Sequence, residues 1–306
     1  MRRTMAIVAL GMIGAKAPPA ERVVSGDALL RSRVGDVPAT LRIDPAAPAM
    51  PLFDQAFAER ARLKLKGKWG ISIGYAVGPV SVMTRTQVVP LDLGAGADKR
   101  RIGWSSRPFS AAAEGSVGPD ALPEPVVRFQ LHSPRPDERT VALPMIRNTG
   151  PFGLFGNFST TFAAIEVAGE PMRLRLDPFH PRTLATAGAA VRLAHVFDGT
   201  VSGEPRATEI FFGVKRPVRD LTLRRPFAIG PLAIVALGVR VADAGSAASI
   251  REAGAASFDP DEVVVTAKGK KRDIRRDTVS LGADYLARCS SIVFDKPAGL
   301  IRLSCN

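Results

Sequence analysis

The chain has 306 residues, with 42 Lys+Arg against 29 Asp+Glu and a formal charge of +13 at pH 7. Three His and two Cys are too few for a zinc ribbon, a Cys-rich cluster or a disulfide-dense scaffold, so no metal or cofactor is expected. Gly 28 and Pro 25, beside only two Tyr and two Trp, point to many short strands and turns and away from an aromatic platform for single-stranded nucleic acid.

Met1-Arg2-Arg3-Thr4 is a short basic start. An apolar run, Met5 to Ala15, and the small residues of Ala15-Lys16-Ala17-Pro18-Pro19-Ala20 follow it. This is the order of an export signal, and the run is too short to span a bilayer. Pro18 disfavours a cut after Ala17, so cleavage is expected after Ala20. The other reading of the segment is a buried first strand or helix. Cleavage would remove Arg2, Arg3 and Lys16, and no later segment has the length of a membrane span. The expectation is therefore an exported protein, periplasmic or secreted, with no transmembrane anchor after cleavage.

In chain order, strands are expected at Ile71–Val77, Val80–Met83, Thr161–Val167, Ile210–Val214 and Val263–Thr266, each bounded by Gly, Pro or charged residues. Helices are expected over Gln55–Lys64 and Leu184–Ala194. Pro151 to Phe162 carries Phe152, Phe155, Phe158 and Phe162, and reads as a packed strand or loop rather than an exposed patch. Ala242 to Asp261, rich in Ala, Gly and Ser, reads as a loop. Gly94-Ala95-Gly96 reads as a turn. His132, His180 and His195 are scattered, and each reads as an ordinary surface or core residue.

The basic clusters are Lys64-Leu65-Lys66-Gly67-Lys68, Lys99-Arg100-Arg101 and Lys268 to Arg276. They read as exposed loops or, alternatively, as docking points for an anionic envelope surface. Nucleic acid is not expected outside the cytoplasm.

Cys289 and Cys305 flank two apolar runs around Lys296-Pro297-Ala298-Gly299, the pattern of a hairpin. Centring the turn on Pro297 sets the two thiols opposite each other, where a disulfide can form in an oxidising compartment. The alternative is a pair of reduced, half-buried thiols.

The chain also repeats itself. Leu41-Arg42-Ile43-Asp44-Pro45-Ala46-Ala47-Pro48 matches Leu174-Arg175-Leu176-Asp177-Pro178-Phe179-His180-Pro181. Downstream, Gly118-Pro119-Asp120-Ala121-Leu122 matches Gly282-Ala283-Asp284-Tyr285-Leu286. A strand-like run follows each, Val126-Val127-Arg128-Phe129 and Ile292-Val293-Phe294-Asp295.

An apolar strand ending in Asp, a following helix, then G-x-D-x-L before the last hairpin: this order resembles the aspartic proteases, in both their bacterial retropepsin-like and pepsin-like branches. The resemblance covers roughly residues 35 to 306. It implies a mainly β fold of two tandem acid-protease-like β-barrel lobes with a short helix in each. Residues 1–20 would be the signal peptide, 21–149 the N-terminal lobe and 150–306 the C-terminal lobe. It also implies that Asp44 and Asp177 are the two catalytic carboxylates, meeting between the lobes and sharing one proton. The activity implied is endopeptidase action on a peptide or protein in an inter-lobe cleft. The sequence departs from the family's Asp-Thr/Ser-Gly: Pro45-Ala46 and Pro178-Phe179 stand there instead. Pro has no N–H and fixes its backbone angle, and Ala or Phe fills space that Gly leaves open. This predicts a weakened or inactive enzyme. The alternatives are an inactive relative that binds a peptide or an envelope partner, and a basic polyanion-binding module. Asp277-Thr278-Val279 imitates the catalytic triplet but lacks its Gly and falls where a strand is expected.

Overall fold

The computed structural model describes residues 20–64, 71–147, 158–255 and 276–306. The expected signal peptide up to Pro19, the boundary at Thr149 and the strand at Val263–Thr266 lie outside them, as do most of the first and last basic clusters. The fold is mainly β. Alternate residues of β2 (Leu29–Val34) and β3 (Val37–Ile43) turn inward, and Leu41 and Ile43 are buried. β4 (Leu52–Asp54), β6 (Val80–Asp92), β7 (Ala97–Ser105) and β8 (Gly115–Val117) complete a six-stranded barrel in the order β2-β3-β8-β4-β7-β6. Closure comes from the far end of β6, where Leu91 and Asp92 pair with Val34 and Arg33. Phe53, Leu91, Ile102, Trp104 and Val117 fill the interior. β5 (Ser72–Val77) lies outside the closed ring and forms a hairpin with β6.

The remaining strands form one large sheet. They are β1 (Glu21–Ser25), β9 (Val126–Gln130), β10 (Arg139–Arg147), β11 (Thr161–Val167), β12 (Glu170–Leu176), β13 (Leu184–Thr186), β14 (Gly199–Glu209), β15 (Lys215–Ile229), β16 (Leu232–Arg240), β17 (Thr278–Leu281), β18 (Cys289–Asp295) and β19 (Leu300–Cys305). Their order is β1-β9-β18-β19-β10-β11-β12-β17-β13-β16-β15-β14. The expectation of two barrels thus meets one closed barrel and one open sheet.

The same pairing scheme occurs in both parts. β3 runs parallel to β8, and β12 runs parallel to β17. β4 lies antiparallel to β8 and parallel to β7; β13 lies antiparallel to β17 and parallel to β16. The strand runs expected after each G-x-D-x-L pair with each other, with Phe129 opposite Ile292 and Val127 opposite Phe294.

Several expectations need adjusting. The strand read at Val80–Met83 continues to Asp92, with Thr84 and Thr86 turned inward and their hydroxyls donating to the carbonyls of Ile73 and Ile71. The first helix, α1 (Gln55–Arg60), is capped by the Asp54 carboxylate on the Phe57 N–H at 2.6 Å and ends before Lys64. The second, α2 (Ala187–Phe197), starts later than Leu184 because Leu184–Thr186 are held between β16 and β17. Ile210–Val214 is not a strand. It is the turn between β14 and β15, with Phe212 and Gly213 both in the left-handed region. The strand expected at Asp277-Thr278-Val279 is β17, which begins at Thr278; Asp277 lies just before it and is buried against Arg192.

Cys289 and Cys305 lie opposite each other and form a disulfide. A bulge at Ser290 shifts the rest of the hairpin register by one residue, so Ser291 faces Ser304. The bond fastens β19, which sits between β18 and β10. Reduction is expected to cost roughly 2–4 kcal/mol, as for a loop of this length. Denaturant melts with and without dithiothreitol measure it, and superimposable curves would remove the disulfide from the account of stability.

Candidate functional site

Each repeated Asp follows a strand that runs parallel to a partner. The Asp44 N–H donates to the Val117 carbonyl and the Asp177 N–H to the Leu281 carbonyl, both at 2.9 Å. Each Asp-Pro then makes the same tight turn. The Ala47 N–H donates to the Asp44 carbonyl at 3.0 Å, and the His180 N–H donates to the Asp177 carbonyl at 3.1 Å. Proline suits the second position of such a turn because its backbone angle is already set. Since Pro offers no N–H, the carboxylates take donors further on: Ala46 N–H for Asp44 at 2.8 Å and His180 N–H for Asp177 at 3.1 Å.

The glycine of each G-x-D-x-L stands where another backbone comes close. A side-chain carbon on Gly118 would meet the Ala47 carbonyl oxygen at 2.5 Å, and one on Gly282 would meet the Arg182 backbone at 2.4 Å. The Asp-Pro turn is therefore wedged against the glycine of its own half. The Asp of the second motif, Asp284, accepts from the N–H and hydroxyl of Thr183 at 2.9 and 2.7 Å, and the Thr183 hydroxyl accepts from the Gly282 N–H at 2.9 Å. Asp120 of the first motif instead takes the Arg147 guanidinium and the Thr161 hydroxyl.

The two turns come together. Asp44 is 4% exposed and Asp177 is 6% exposed. Burial pushes the Asp44 carboxyl up to about 7, and the charge of Asp177 pushes the same way, against the Ala46 N–H, Arg42 and Arg175. Burial pushes Asp177 up to about 6, against Arg175 and the N–H groups of His180 and Phe179. These constants belong to the pair and not to either residue.

Arg42 and Arg175 stand two positions before each Asp. The Arg42 guanidinium covers the Phe179 ring at 4.4 Å, and Arg175 covers Phe211 at 4.4 Å and Phe162 at 5.1 Å. Both Nε atoms are buried without a hydrogen-bond partner among the described residues. Burial and the nearby Arg240 lower Arg175 to about 10. Their place in the site was not legible in the sequence, although each Arg was part of the repeated motif. Phe179 packs between Arg42 and the core, and the His180 ring nitrogens face the carbonyls of Arg182 and Glu209 at 2.6 and 3.1 Å.

A second apolar cluster, separate from the main core, joins the two halves and touches the site through Phe211, which packs on Arg175. Met50, Leu52, Val77 and Val82 from the first half meet Leu184, Ile210, Phe212, Val214 and Val218 from the second. Tyr75 and Phe158 pack against it, and the Tyr75 hydroxyl donates to the Phe158 carbonyl at 3.0 Å. Burial raises the Tyr75 pKa above the ordinary phenol value. Among the described residues no group of three or more His, Cys, Asp or Glu is placed to hold a metal ion, and no helix is long and apolar enough to cross a membrane. A comparison with family models finds none that matches, and a comparison with curated proteins finds no match.

The raised carboxyls set a sign for pH dependence. The folded state holds these protons more tightly than the unfolded chain, whose Asp groups titrate near 3.8. Stability from the pair is complete below about pH 4 and is lost as pH rises through 6 and 7. Asp44→Asn is expected to flatten this fall by on the order of 1–3 kcal/mol. Thermal melts of wild type and variant from pH 4 to 8 measure it; parallel curves would show that Asp44 does not carry the effect.

Proposed function

We propose that this chain is a two-lobed aspartic-protease-like protein whose Asp44/Asp177 pair performs aspartic-type hydrolysis of a peptide bond, at a rate well below that of the Asp-Thr/Ser-Gly sites. The observation that supports this most is a pair of buried carboxylates, each placed after a parallel-paired strand by the same Asp-Pro turn, with the charge of Asp177 felt at Asp44. In this reading the ionised carboxylate takes a proton from a water as its oxygen adds to the peptide carbonyl. The protonated partner gives its proton to the carbonyl oxygen, and the tetrahedral carbon then expels the amine, which takes up a proton. The shared proton follows from the cost of ionising two adjacent buried acids.

A second reading, a peptide-binding relative without chemistry, is favoured by Pro45 and Pro178. No hydroxyl replaces the family's Thr or Ser at these positions, and each carboxylate is held by its own turn. The disulfide is compatible with an exported protein, the setting that both readings assume.

A peptide-library digest from pH 4 to 8, with wild type, Asp44→Asn and Asp177→Asn, decides between them. Slow cleavage lost at least 100-fold in both variants supports the peptidase. Cleavage equal in all three would rule out the dyad, and no cleavage at any pH leaves the binding reading.

A further inference from the structure

We propose that the cleft above the carboxylates is held shut by an internal ligand, the Glu209–Lys215 turn. Phe211 and Phe212 of this turn take the seat of a peptide segment with adjacent aromatic side chains. The inference rests on the cleft being a peptide site, as argued above, and does not require that the dyad cut anything.

Hairpin tips normally lie in water. This one does not: Ile210 is 8% exposed, Phe212 3% and Val214 4%. The turn is closed by its own bonds, Ile210 N–H to the Val214 carbonyl and Val214 N–H to the Phe211 carbonyl, both at 2.9 Å. Phe212 holds φ at +56°, a conformation costly for a bulky residue. The burial of its ring offsets that cost.

The seat belongs to the other half of the chain. Phe109 stacks on Phe211 at 5.2 Å and meets Phe212 edge-on at 5.3 Å. Tyr75 packs on Phe212 at 5.6 Å. The Phe212 N–H donates to the Phe109 carbonyl at 3.4 Å, a backbone contact of the kind an incoming peptide makes.

A second catch holds the β5–β6 hairpin that carries Tyr75. At the tip of β5–β6, Gly78 has φ +62°, and a side-chain carbon there would lie 2.2 Å from the Asp243 carboxylate. Asp243 is buried and held by Arg216 at 2.8 Å and Arg240 at 3.4 Å. The β5–β6 hairpin is thus fixed to the second half at its tip and through Tyr75. The turn is linked to the carboxylates through Arg175. Phe211 covers Arg175, whose charge acts on both Asp44 and Asp177.

The test uses the full chain. Phe211→Ser with Phe212→Gly removes the rings and leaves a backbone that glycine adopts without strain. Two readouts follow: amide hydrogen exchange across residues 72–82, and binding of a fluorescein-labelled hexapeptide with a central Phe-Phe. The expected result is exchange at least 10-fold faster and peptide affinity at least 10-fold tighter than wild type. A matched peptide with Ser-Ser in place of Phe-Phe is expected to show no gain. Phe212→Gly alone is the milder variant and decides if circular dichroism shows the double variant unfolded. Unchanged exchange, or affinity no better than wild type, overturns the proposal. Tighter binding without cleavage in the opened variant keeps the internal ligand and counts against the peptidase reading.

Discussion

Taking Asp44 and Asp177 out of water in one place is the constraint on which the rest of the site depends. An isolated buried carboxylate is costly, and two together are worse, so the pair must hold a proton, find cations or both. The protein uses each remedy. Burial raises both carboxyls into the neutral range. Arg42 and Arg175 sit on the preceding strands at the same offset; both draw Asp44 back toward ionisation, and Arg175 does the same for Asp177. The arginines are themselves desolvated, and they recover part of that cost from the faces of Phe179, Phe162 and Phe211. The aromatic residues around the site are therefore electrostatic parts as well as packing.

Much of the local structure was legible because its causes are local. The cysteine hairpin followed from two apolar runs around a Pro-Gly turn, and the bulge at Ser290 that shifts its register had no signature in the residues. The repeated Asp-Pro and G-x-D-x-L elements were legible as sequence, and their pairing with each other follows from their chemistry: proline sets the turn and glycine admits it. What escaped was set by distant partners. Ile210–Val214 has the apolar density of a strand, yet it is a turn because Phe212 finds a seat between Tyr75 and Phe109, more than a hundred residues away. Arg42 and Arg175 were visible only as part of the repeated motif, and residues distant in sequence supply the aromatic faces beside them.

The proline after each Asp also has a structural meaning, because it carries no hydroxyl that could bond across to the other half. Here each carboxylate is oriented within its own turn, by donors two or three residues on. The halves must then be joined elsewhere. They are joined by the antiparallel pairing of β9 with β18, by the Thr160 hydroxyl on the Ala46 carbonyl at 3.3 Å, and by the apolar cluster that the Glu209–Lys215 turn completes.

This redistribution separates two duties that a shared hydroxyl network would combine. A carboxylate held by its own turn keeps its orientation when the interface above it loosens, because its donors move with it. The apolar cluster holds the halves mainly by packing, with two hydrogen bonds, from the Tyr75 hydroxyl to Phe158 and from the Phe212 N–H to Phe109. The pairing of β9 with β18 is made by strand residues outside that cluster. In the proposed opening the turn leaves its seat while β9 and β18 stay paired, so the two halves need not come apart.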